Sequence, residues 1–122
     1  MKLLIKSSDL FDLNYSEFFD TEKQALGNET EYSYKDGKNI CKVIISPLEN
    51  YIKIFRAGEI NSEQLFKTDE VTDFSYLTDN FEKFFFIKTN NLVILPKKIS
   101  LNYDIIEGDM VINNINLEIT EL

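Results

Sequence analysis

A chain of 122 residues has room for one domain with a real core and not for two ordinary ones. Apolar residues at 43% and aromatics at 13% exclude a chain that stays disordered for want of burial. The formal charge of −8, from 21 carboxylates against 13 cations, with no basic run beyond the Lys97-Lys98 doublet, argues against a nucleic-acid partner.

The amino-terminal MKLLIKSSD reads as a first strand, because Lys6 breaks the apolar run after three residues, where an export signal needs about seven or more. Asp20 to Gly27, DTEKQALG, admits either one short helix, capped by Asp20 or Thr21 and ended by Gly27, or a strand; both readings stand. From there the period is two. Thr30 to Lys35 and Ile40 to Ser46 flank Asp36-Gly37, a pair suited to a tight hairpin turn. Tyr51 to Ala57, Ser62 to Thr68 and Val71 to Thr78 follow as strands, then FEKFFFIK and LVIL around a turn at Asn90-Asn91. Ile99, Leu101, Tyr103 and Ile105 alternate with polar residues, Glu107-Gly108-Asp109 turns the chain, and Ile115, Leu117 and Ile119 resume the alternation. Every glycine and proline falls between apolar runs, and turn signals recur about every ten residues, the rhythm of an antiparallel barrel or sandwich. The longest apolar runs, Phe84 to Ile87 and Leu92 to Leu95, are too short to span a bilayer, so a cytoplasmic protein without a membrane partner is expected.

The stretch GKNICKVIISPLENYIKIFRAG, residues 37 to 58, resembles the YwiB-like family of small bacterial proteins, a domain of unknown function. Gly37-Lys38 leads into the Val43-Ile44-Ile45 strand, and Ile52, Ile54, Arg56 and Gly58 then alternate. Phe81 ahead of the aromatic strand and Ile99, Leu101, Tyr103 and Asp104 ahead of the last hairpin are similar as well. The likeness covers roughly residues 30 to 122 and, more loosely, Lys2 to Asp9. It implies a calycin-like, lipocalin-like up-and-down β-barrel of about eight to ten strands over residues 1–122, and it implies no activity.

The chain has no histidine, which removes Ser-His and Cys-His nucleophiles, imidazole acid-base chemistry and nearly every zinc site. Cys41 is the only cysteine, so no internal disulfide or thiolate cluster can form, and its alternation with Val43 and Ile45 makes it a small buried hydrophobe. No metal and no cofactor is expected. Arg56, the only arginine, shares a face with Ile52 and Ile54; a guanidinium there needs a carboxylate partner, an anionic ligand or a place at the barrel rim. Tyr34, Tyr76, Tyr103, Phe84 and Phe86 are the aromatic candidates to line a small cavity with Arg56, the alternative being that side chains fill the barrel completely. Abundant carboxylate pairs leave an enzyme using two acids as the least favoured reading.

Three adjacent phenylalanines, Phe84 to Phe86, put rings on both faces of one strand. The working assignment turns Phe84 and Phe86 toward the interior and leaves Phe85 and Ile87, with Val93 and Leu95, on an outer patch, although the pattern alone leaves the inner face open. That patch needs a cover, either the Leu10 to Leu26 segment or a second copy of the chain, and the homodimer is preferred. The expected function is binding of a small, partly apolar or anionic ligand in the barrel; the alternative is an assembly module working through its outer surface.

Overall fold

The computed structural model describes every residue from Met1 to Leu122 and contains ten β-strands. They are β1 (Lys2–Asp9), β2 (Asn14–Leu26), β3 (Glu29–Asp36), β4 (Asn39–Ser46), β5 (Tyr51–Ala57), β6 (Asn61–Lys67), β7 (Val71–Thr78), β8 (Phe81–Ile94), β9 (Lys98–Glu107) and β10 (Met110–Glu121). All neighbours are antiparallel and consecutive, and β1 pairs with β10 to close the ring, giving the up-and-down barrel that the family resemblance implies and one of the two architectures that the turn spacing allows. The open choice at Asp20 to Gly27 resolves to strand, the second half of β2. No helix is long and apolar enough to cross a membrane.

Alternation builds the core. Leu3 and Ile5 of β1, Val43 and Ile45 of β4, Ile52 of β5, Phe66 of β6 and Ile99 and Leu101 of β9 are buried, while their neighbours along each strand are more exposed, Ser46 at the end of β4 excepted. Tight two-residue turns hold this phase: Asp36 pairs with Asn39 around Gly37, whose φ of 61° a residue with a Cβ resists. Gly58 is constrained twice over, by a φ of 147° and by the Lys38 carbonyl oxygen 2.6 Å from where a Cβ would stand.

Several ladders are partial, and two of these adjoin cavities in the wall. β2 pairs with β1 from Asn14 to Asp20 and with β3 only from Thr21 to Leu26, so the strand changes neighbours where its one rung to Met1, at Thr21, meets its first rung to Tyr34. β6 and β7 pair only from Asn61 to Gln64, and there the gap is spanned by the Thr72 hydroxyl donating to the Leu65 carbonyl.

The aromatic strand corrects two expectations. Asn90-Asn91 is not a turn; β8 runs through it, and the register to β9 shifts between Thr89 and Asn91. One extra residue flips the side-chain phase, so Ile87 and Thr89 point inward before it and Leu92 after it. The inner face is also the opposite one: Ile87 is fully buried and Phe85 packs against the core, whereas Phe84 and Phe86 are 66% and 45% exposed. Phe74 of β7 decides this, because it lies opposite Phe85 in the register and the two rings stack at 5.6 Å inside the wall. Val93 and Leu95 are exposed as expected. The Leu10 to Leu26 segment covers no outer patch, since its backbone is a wall of the barrel itself.

The carboxyl end seals the apolar mouth. Glu121 accepts from the Lys23 ammonium at 2.8 Å and from the Tyr32 hydroxyl at 3.0 Å, and the Lys23 bond above all holds its carboxyl below the usual range.

The inward assignment predicts that Ile87→Ala lowers unfolding free energy by roughly 2–5 kcal/mol, against about 0.5 kcal/mol or less for Phe84→Ala, measured as denaturant midpoints at constant slope. Because the folded carboxyl of Glu121 lies below its ordinary 4.5, its contribution is complete above that pH and is lost as pH falls through the folded value. Glu121→Gln is therefore expected to be less stable than the parent at neutral pH, the two curves converging on acidification.

Candidate functional site

Where β2 parts from β3 the wall opens into the largest of the main cavities, about 660 Å³. Residues 17–22 of β2 form one side, residues 33–37 of β3 and its turn the other, and Ile40 of β4 the far end. The alternation along β2 sends Phe19 and Thr21 inward, and the Phe19 ring meets Tyr34 at 4.6 Å as an apolar floor. Thr21 finishes the last rung with its hydroxyl, donating to the Ser33 carbonyl at 2.9 Å. Phe18 and Ile40 stand 58% and 54% exposed on the outer lips.

The walls are acidic. Glu17, Asp20, Glu22 and Asp36 line the cleft against one ammonium, Lys35. Asp20 pairs with Lys2 at 3.3 Å and Asp36 with Arg56 at 3.2 Å, while Glu17 is held by the Tyr15 hydroxyl at 2.7 Å. Behind the floor, Tyr34, Cys41 and Arg56 sit in register on β3, β4 and β5. Burial, then the neighbouring Cys41, pushes the Tyr34 phenol well up; burial likewise raises the Cys41 thiol against the opposing pull of Arg56. A thiol so placed is a core group, as its alternation suggests.

Two of the six predicted cavity residues meet here, Tyr34 directly and Arg56 through Asp36. Arg56 adopts the ion pair at the strand end that the sequence allows as one of three outcomes, with its side chain 34% exposed. Tyr103 is packed away on Phe66 at 4.7 Å, its phenol pushed up to about 12 by burial, and Tyr76 lies between Phe74 and Phe81 at 6.5 and 6.2 Å. Neither lines any of the main cavities. Phe84 and Phe86 border a separate outer groove of about 430 Å³ over the short β6–β7 ladder. Of the predicted outer-patch residues, Val93 and Leu95 face out and Phe85 and Ile87 do not. The residues that sequence reasoning missed are Glu17, Phe18, Phe19, Thr21 and Ile40; the signal was the alternation Tyr15, Glu17, Phe19, Thr21, obscured by the helical option at Asp20 to Gly27.

The family described as a domain of unknown function, DUF1934, matches residues 21–119. A crystal structure of the ywiB protein from Bacillus subtilis superposes with a TM-score of 0.76 over 98% of this chain and 87% of that one, at 21% identity, a likeness of fold. No curated protein matches the chain.

Proposed function

This chain belongs to the DUF1934 family, and from that premise we propose that it is a non-catalytic binding protein whose ligand occupies the cleft between β2 and β3. The observation that carries the reading is the cleft itself: about 660 Å³, within the size range of ligand sites, with an aromatic floor under carboxylate walls. The ligand it suits is partly apolar and carries a positive charge. An anionic ligand at Arg56 is the weaker form, because Asp36 already neutralises the guanidinium, and displacing it would strand a carboxylate on an acidic wall. Tyr34, Asp36 and Glu17 are the inner contacts, and Phe18 and Ile40 the outer ones.

The second reading, assembly through an outer surface, is favoured by Phe84, Phe86 and Val71, which are 66%, 45% and 57% exposed on adjoining strands. A second copy covering that groove would remove two rings from water, each worth roughly 1.5–3 kcal/mol.

Dansylcadaverine, an apolar fluorophore on an alkylammonium chain, probes the first reading. Its emission is expected to shift to the blue and saturate on the native protein, with Ile40→Lys weakening the response at least ~10-fold. An unsaturable response, or one indifferent to Ile40→Lys, defeats the cleft as the site. Sedimentation velocity addresses the second: a dimer that Phe84→Ser with Phe86→Ser converts to monomer supports it, and a monomeric parent removes it.

A further inference from the structure

We propose that the occupant of the cleft is an extended, lysine- or arginine-bearing peptide segment that adds a strand to the free edge of β2. This rests on the reading that the cleft is the binding site, and names its ligand.

The Thr21 amide donates to the Met1 carbonyl at 3.0 Å, so odd-numbered residues of β2 aim their polar backbone groups at β1. In an antiparallel strand the intervening residues aim theirs the other way. Ser16 and Phe18 therefore direct N–H and C=O groups, and Asp20 its N–H, into the gap, where β3 has no rung to offer before Tyr34. The Thr21–Tyr34 rung is a non-hydrogen-bonded pair, so the Lys35 N–H beside it is directed at the Asp20 carbonyl and closes the gap at that end. Such a row of unpaired groups is a template for another strand.

Side chains choose the occupant. Phe18 and Ile40 offer exposed apolar surface on either lip, and the carboxylates of Glu17 and Glu22 make no ion pair with the chain's own cations. A segment alternating apolar and cationic residues satisfies both. A second copy joined edge to edge does not, since it would bring the Glu17, Asp20 and Glu22 carboxylates of two copies together along one ladder. The free edge from Ser16 to Asp20, at roughly 3.3 Å per residue, fits a segment of about five to seven residues.

The probe is a fluorescein-labelled, end-blocked heptapeptide alternating lysine with valine, titrated into the full chain and read by anisotropy, with amide hydrogen exchange as a second readout. Saturable binding is expected, with new protection at the Phe18 and Asp20 amides. Methylating the peptide's alternate backbone nitrogens in the phase that faces β2 is expected to weaken it at least ~10-fold, and replacing its lysines by glutamate to abolish it. Phe18→Pro removes an N–H aimed at the gap and none from the β1 ladder, so it is expected to cost at least ~10-fold, and more than Phe18→Ala, which keeps the N–H. If Phe18→Pro does not fold, the methylated peptide on the parent protein decides. Indifference to methylation, or no peptide binding while dansylcadaverine still saturates, overturns strand addition and leaves the cleft. Failure of both probes overturns both.

Discussion

The barrel closes because β2 changes neighbours at Thr21. Antiparallel rungs on one side of the strand end near where rungs on the other begin, so 13 residues of one strand join β1 to β3 with almost no overlap between the two ladders. β8 is also divided between neighbours, Phe81–Lys88 to β7 and Phe86–Ile94 to β9, but there the two ladders overlap. Closing a ten-stranded ring removes sheet edges, and with them the unsatisfied backbone groups that would otherwise invite other chains. At this seam the closure is made by side chains instead: the Phe19 ring on Tyr34, the Thr21 hydroxyl on the Ser33 carbonyl, and the Glu121 carboxylate reaching Lys23 on β2 and Tyr32 on β3. The opening above them follows from the same hand-over.

The two incomplete seams differ in kind, which is why they carry different readings. Between β6 and β7 the free Leu65 carbonyl is taken by Thr72, and the wall is thickened from inside by the stacked Phe74 and Phe85 rings. What remains there is a shallow apolar groove over Phe84 and Phe86, suited to a flat surface. Between β2 and β3 no side chain reaches across to the backbone of Phe18 or Asp20, and the lips are charged. Backbone polarity and acidic side chains in one place favour a partner that brings both donors and positive charge.

How much of this was legible depends on range. A two-residue rhythm is a local property, so the strands from Glu29 to Thr78 and the final hairpin stand within a residue or so of where Gly37, Gly58 and Gly108 punctuate them. Asn90-Asn91 misleads for a local reason too: two amides between apolar runs have the composition of a turn, and only a partner strand such as β9 tells a bulge from a reversal. The inner face of Phe84 to Ile87 hangs on Phe74, and the partner of Arg56 is Asp36, 20 residues earlier on a strand two places away. Neither relation leaves a trace in spacing. The cleft is less visible still, because it is made by where a ladder stops, and the number of rungs between two strands follows from barrel geometry rather than from any short motif.

The position of the cleft on the side of the barrel follows from how its interior is filled. The Phe66 and Tyr103 rings pack against one another, tilted by 57° with centroids 4.7 Å apart, and the 17 buried apolar residues form one cluster from Leu3 to Ile119. With the axis occupied by rings, a ligand cavity of the lipocalin kind has no room at the centre. At the mouth that carries the β3–β4 and β5–β6 turns, the inward positions become polar, and Asp36 and Arg56 neutralise one another there instead of leaving a charge for an incoming molecule. Volume and unsatisfied polarity thus coincide at the wall alone, where β2 has left β3 and Tyr34 still floors the gap. A barrel with a solid centre can therefore still carry an open cleft in its wall, provided one strand is long enough to serve two neighbours in turn.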